Sequence, residues 1–224
     1  MTRVLRAILI VVVAFMAVGC VPDFLKRRPP LERYILRLPA TENGILSPPG
    51  PSVLNGTMAI APFVTRGIYD ERGIVYRIDE HQLGAHPSRE WAIPLRESLG
   101  RLSEEALSRA PLTAEPAEFD DANARSRDYQ WRGTVLEFEE VNRGREVLAA
   151  VYLEVQIVRS ANDSVVWKGS ERMERPVPAP TSSMTRVVET LSALTGDVLS
   201  RLIARARTDL GVPTTAAATA PPPR

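Results

Sequence analysis

Apolar and polar residues change their spacing several times along the chain, and each change predicts an element. Tyr34, Leu36 and Leu38 alternate with Arg37, the two-residue period of a half-buried strand over 34–38, and Pro39 ends it. The Gly/Pro/Asn/Ser-rich stretch TENGILSPPGPSVLNG predicts a loop leading to the apolar run Thr57–Ala61, a buried strand closed by Pro62. Gly73–Ile78 predicts a third strand, entered through the turn-like Asp70–Gly73. The period then lengthens. Trp91, Leu95, Leu99, Leu102, Ala106 and Ala110 recur at three- and four-residue steps, one face of an amphipathic helix that Pro111 ends. Its start is set by Pro87-Ser88, with Ser88 as N-cap, or lies near Pro94 with 88–93 as a separate turn, since proline is comfortable only in a first helical turn.

Three β-rich stretches follow, 129–141, 147–159 and 165–174, separated by the hairpin-like Asn142-Arg143-Gly144-Arg145 and Ala161-Asn162-Asp163-Ser164. The middle stretch carries Val147, Ala149, Val151, Leu153, Val155 and Ile157 on one face, which must be buried; its other face is mixed, so one layer of helices suffices. The phase of the first stretch shifts at Val135-Leu136, where a bulge is expected. A second helix is predicted over 183–210, with the stripe Val187, Leu191, Leu194, Val198 and Leu202; Gly196 weakens it internally, and Gly211 and Pro213 stop it. The order is βββαβββα without internal repeats, an α+β fold with a mostly antiparallel sheet and two long helices packed on one face.

The N-terminal pattern differs. Arg3 and Arg6 precede an apolar run from Ala7 to Val18, and Gly19 precedes Cys20, the only cysteine in the chain. This is the layout of a secretory signal, and the run is shorter than the ~20 residues a spanning helix needs. Ala17-Val18-Gly19-Cys20 resembles the bacterial lipobox, although alanine stands where leucine is usual; an ordinary signal or retained anchor with an idle cysteine is the alternative. The resemblance makes Cys20 the lipid-attachment residue, with acyl chains at ~0.8 kcal/mol per buried CH₂ holding the protein on a membrane. The expected organisation is a signal over 1–19, a lipidated tether over 20–33, a folded domain over 34–211 and a disordered Ala/Thr/Pro tail over 212–224.

Composition narrows the function. At 224 residues with 44% hydrophobic and 25% charged content, the chain is an ordinary globular one. A formal charge of +1 leaves no nucleic-acid footprint, and the cluster Lys26, Arg27, Arg28 and Arg33 reads as a solvated tether or as a contact for anionic headgroups. With Cys20 lipidated, neither a disulfide framework nor a thiolate metal site is available. Asp79, Glu80, His81 and His86 could ligate a metal, but a single loop organises them weakly and a solvated turn is the simpler reading. The carboxylate pairs Asp120-Asp121 and Glu139-Glu140 read as solvated. No nucleophile elbow or phosphate-cradling glycine loop is present, so no catalytic residue, metal or cofactor is expected. Trp91, Trp131 and Trp167, the last on the same side as Val165, read as core anchors, with a partner or lipid groove as the alternative.

LERYILRLPA, the segment from Met58 to Leu102 and VVWKGSERMERPVPAP together resemble the ABC-type transport auxiliary lipoproteins, the PqiC-like family that accompanies MCE-domain proteins. The features that carry it are Tyr34 and Leu36, Gly73–Arg77, Trp91 with Pro94-Leu95, and Val166-Trp167. The resemblance implies a non-catalytic periplasmic component of an intermembrane phospholipid transport system, docking an MCE-domain protein and an ABC permease and ATPase at a membrane, alone or as a homo-oligomer. Tyr76, Arg77 and Trp91 are its expected partner or lipid contacts. Val21 after Cys20, rather than the aspartate of inner-membrane retention, favours the outer membrane. A lipid-binding carrier and an envelope hydrolase are the alternatives, the second disfavoured by the missing nucleophile.

Overall fold

The computed structural model describes residues 30–39, 52–115, 117–119, 126–180 and 183–211. Cys20 and the lipobox-like residues before it, Asp120-Asp121 and the 212–224 tail lie outside them. The chain divides after Leu31, and the architecture below belongs to the unit that starts at Glu32. Its strands are β1 (Glu32–Tyr34), β2 (Met58–Ile60), β3 (Gly73–Asp79), β4 (Gln82–Trp91), β5 (Glu118–Phe119), β6 (Tyr129–Arg143), β7 (Glu146–Arg159) and β8 (Ser164–Pro176). The helices are α1 (Leu95–Arg109) and α2 (Met184–Gly211), and a 3-10 turn spans Gly67–Asp70.

Eight strands form one sheet. The long ones, β6, β7 and β8, run antiparallel, joined by tight turns, the first placing Gly144 at a φ of 65°. On its other edge β6 pairs in parallel with two short strands set end to end, β2 along Tyr129–Trp131 and β3 along Glu140–Val141. The register of β6 against β7 slips between Val135 and Glu137, leaving Leu136 as the extra residue of the expected bulge. Ala149, Val151, Leu153, Val155 and Ile157 of β7 join α1 and α2 residues in one core. Leu95, Leu99, Leu102 and Ala106 are the buried stripe of α1, and all five predicted stripe residues of α2 are buried. The opposite face of the sheet carries a small cluster, Val141, Leu148 and Ala150, and cross-strand ion pairs such as Arg172 with Glu137 at 2.7 Å and Lys168 with Glu154 at 3.0 Å.

The structure corrects four sequence expectations. Ser88 is not a helix N-cap: β4 runs through Pro87 and Ser88 to Trp91, and α1 begins after Pro94. Three residues of β3, from Gly73 to Val75, face six of β4, from Ala85 to Glu90, so Pro87 sits in an irregular stretch where its missing N–H breaks no ladder. The first strand is not 34–38 but Glu32–Tyr34, the three residues that pair with β4, so it begins inside the stretch expected as tether and shares only Tyr34 with the expected strand. Beyond Tyr34 the chain leaves the sheet, and Leu36 and Leu38 are buried while the Arg37 backbone N–H donates to Ser192 Oγ on α2 at 3.4 Å. A register irregularity beside Val166 also puts Trp167, paired with Ile157, in the core and Val165, paired with Val158, 54% exposed on the other face. Finally, β5 is an additional short strand, paired in parallel with β2.

Gly196 stands where α2 crosses this N-terminal segment. A Cβ there would meet Leu38 Cδ2 and Pro39 Cδ at 3.5 Å, ordinary van der Waals distance. Gly196→Ala is therefore expected to raise stability by up to ~1 kcal/mol through helix propensity, read as a later denaturant midpoint with unchanged slope.

Candidate functional site

Tyr76 and Arg77 are neighbours on β3, so the pleat sends their side chains to opposite faces of the sheet. Each meets one member of the Glu139-Glu140 pair on β6. These carboxylates are not solvated, as their sequence context suggested. Both lie inside a fifteen-residue strand flanked on two edges, Glu139 at 1% exposure and Glu140 at 8%. A buried carboxylate needs a partner, and each has two.

On the outer face, Arg77 Nε donates to Glu139 Oε1 and the Tyr69 hydroxyl, from the 3-10 turn, donates to Glu139 Oε2. Burial first, then the hydrogen bond to Glu139, pushes the Tyr69 phenol above its ordinary value and keeps it a donor. The same carboxylate holds Arg77 above its ordinary value by hydrogen bonding, against the opposing effect of burial. On the helix face, His86 Nε2 lies 3.2 Å from Glu140 Oε2, and Asn142 Nδ2 donates to Glu140 Oε1 at 3.0 Å. Burial would raise the Glu140 carboxyl; the hydrogen bonds from His86 and Asn142, with the nearby His86 and Arg89, outweigh it and leave it below the usual carboxylate range. The Tyr76 ring completes this side, 4.8 Å from the His86 ring and lying over Gly84, where a Cβ would come within 2.6 Å of the phenol.

Trp91 is apart from both groups. It is 3% exposed, its ring edge-on to Phe138 at a centroid distance of 5.8 Å, and its backbone N–H donates to Arg72 O at 2.8 Å. The structure thus joins Tyr76 and Arg77 through adjacent residues of β6 but keeps Trp91 in the core, as it does Trp131 and Trp167, whose Nε1 donates to Asp209 at 2.8 Å. The histidines are also separated. His81 is exposed in the β3–β4 turn, its backbone N–H donating to Asp79 Oδ1, whereas His86 lies within β4. Among the described residues no three metal-ligating side chains converge.

A second feature escaped the sequence reading. An open groove of about 420 Å³ runs between residues 34–39 and the first half of α2. Its signal was Ile35, an apolar residue out of phase with Tyr34, Leu36 and Leu38; it is 45% exposed at the groove.

The family model for the ABC-type transport auxiliary lipoprotein component matches residues 42–204. The chain belongs to this family. Among solved structures, the family fold is similar to protein XCC0632 from Xanthomonas campestris, a DUF330 protein, at TM-score 0.62 and 18% identity over 79% of this chain and 98% of that one. An uncharacterized protein gives TM-score 0.60 at 13% identity, over 80% and 99%. The PelC dodecamer from Paraburkholderia phytofirmans is more remote, at TM-score 0.43 and 12% identity over 70% and 91%. No curated protein sequence matches the chain. Membership makes the protein a lipoprotein component associated with an ABC transport system.

Two predictions follow from the carboxylate pair. Arg77→Met leaves Glu139 buried without its cation and is expected to cost about 3 kcal/mol, whereas Arg77→Met combined with Glu139→Gln recovers at least a third of that. Equilibrium urea unfolding of the wild type, both single variants and the double variant measures the coupling. For Glu140 the folded carboxyl titrates below its unfolded value of 4.5, so its contribution is complete above pH 4.5 and is lost as pH falls through the lowered folded value. Glu140→Gln is expected to be less stable than wild type at pH 7, with the gap closing below pH 4.5, read from denaturation midpoints across that range.

Proposed function

We propose that the protein is the membrane-anchored docking component of an ABC/MCE-type intermembrane phospholipid transport system, lipidated at Cys20 and held on the periplasmic side of the outer membrane. The observation that carries this reading is the family match over 42–204 behind the lipobox-like Ala17–Cys20. Val21 supports the outer membrane over the inner one. The domain's interior is consistent with a scaffold. Its buried carboxylates, Glu139 and Glu140, are each bonded to neighbouring side chains, an arrangement that fixes the β3–β6 contact.

Anchoring supplies the energetics of docking. A domain confined to a membrane surface meets its partner at a high effective concentration, so contacts too weak to hold a complex in solution are sufficient. Tyr76 and Arg77, half-buried on the two sides of the β3–β4 hairpin, remain the residues proposed to border the partner; Trp91 would act from within, by holding the strand on which His86 stands. The partners are an MCE-domain protein together with its ABC permease and ATPase, with the lipoprotein acting as a single copy or as a homo-oligomer.

A crosslinked pull-down of the intact lipoprotein from its own membranes, beside Cys20→Ser, tests the reading. An MCE-domain protein is expected with the wild type and depleted with Cys20→Ser. Wild-type recovery of other envelope proteins without any MCE-domain protein overturns it.

A further inference from the structure

The groove beside α2 has an unusual balance of chemistry. Tyr34, Ile35, Leu38, Pro39, Val188 and Ala193 give it largely apolar walls, and its volume of about 420 Å³ falls in the ~300–1,000 Å³ range of small-molecule sites. The polar groups along it are mostly engaged. The Tyr34 hydroxyl donates to Glu32 Oε2 at 2.6 Å, Ser192 Oγ accepts from the Arg37 backbone N–H, and Glu189 pairs with Arg186 at 3.0 Å. Of the charged side chains that line the groove, only the Arg37 guanidinium has no ion-pair partner among the described residues.

An apolar trough with one uncompensated cation on its wall fits a ligand with a long apolar part and one anionic group. We infer that the groove holds an acyl chain of an anionic phospholipid drawn from the membrane, with Arg37 at its phosphate. An extended peptide is the less favoured occupant. Its backbone would bring several donors and acceptors against walls whose own polar groups are mostly spoken for, whereas each methylene of an acyl chain gains from leaving water. Arginine suits the headgroup because its planar fork matches phosphate geometry and it is not deprotonated in proteins. The inference rests on the lipid-transport reading for the source of its ligand and deepens it: the docking component itself takes up lipid.

The test uses the full-length lipoprotein carrying Ile35→p-benzoylphenylalanine, a substitution at a half-exposed groove position. It is irradiated first in its own membranes and then in phosphatidylcholine vesicles containing a minor fraction of phosphatidylglycerol, with adducts identified by mass. Expected are phospholipid adducts in the native membranes and, in the vesicles, phosphatidylglycerol adducts several-fold above its share of the lipid. Arg37→Glu should abolish that enrichment while leaving phosphatidylcholine labelling in place, and Ala193→Phe, which fills the groove, should reduce both lipids at least fivefold. Thermal melts of each variant establish that the domain stays folded. The inference is overturned by an adduct to a second copy of the chain, to its own N-terminal peptide or to another protein. It is equally overturned by absent lipid adducts, by labelling proportional to lipid share, or by yields that neither variant changes. An MCE-domain partner recovered without lipid in the groove removes only this inference; lipid in the groove without that partner removes only the docking reading.

Discussion

The two-sided hydrogen bonding of β6 is the constraint from which the rest of the domain takes its arrangement. Along one edge β6 pairs with β7 from Tyr129 to Arg143, interrupted only at Leu136; along the other it accepts β2 and β3 in turn. A strand with both edges occupied can expose side chains only through its faces, and its faces diverge in character. Tyr129, Trp131, Val135 and Phe138 join the helix-covered core, whereas Glu137 faces the ion pairs of the open side. The bulge makes this division possible across fifteen residues. Without the extra residue at Leu136, the two-residue period would carry Phe138 to the open face.

Burial of Glu139 and Glu140 follows from the same strand. Once β3 pairs at Glu140 and Val141, the carboxylates have no route to bulk water and must be satisfied by what packs beside them. Tyr69 and Arg77 do this on one face, His86 and Asn142 on the other. Such pairs add little net stability compared with apolar residues of the same shape, but breaking one leaves a desolvated charge, so they penalise any other placement of β3 on β6. They therefore specify the position of the β3–β4 hairpin more than they strengthen the fold.

How much of this was legible in the sequence depended on the range of the determining contact. The meander, its bulge and the α2 stripe were readable because period and turn chemistry are local; Gly144 and the run from Val147 to Ile157 carry their own instructions. The α+β class followed from them. What failed depended on partners distant in the chain. Pro87-Ser88 has the local signature of a helix start, yet pairing of β4 with β1 and β3 overrides it. Glu139-Glu140 looks solvated until Tyr69 and Arg77 are folded onto it. Trp167 and Val165 share a phase by counting and lose it to an irregularity that only the register against β7 reveals. The groove was hidden for the same reason, since its two walls, residues 34–39 and α2, are far apart in sequence.

The position of that groove along the chain would connect the proposed anchor to the proposed ligand. Its first wall begins at Tyr34, the last residue of β1 and fourteen positions after Cys20, and an extended chain spans at most ~3.3–3.6 Å per residue. Acyl chains on Cys20, as proposed, would therefore hold the groove within on the order of 50 Å of the bilayer surface. A lipid entering it from that membrane would not need to cross the periplasm alone, and a partner that docks on the same anchored domain would meet it there. Under the proposed function and the proposed ligand, anchor, groove and hairpin would act as successive stations on one chain, in which the anchor would set proximity, the groove the charge of the lipid accepted, and the partner where it goes.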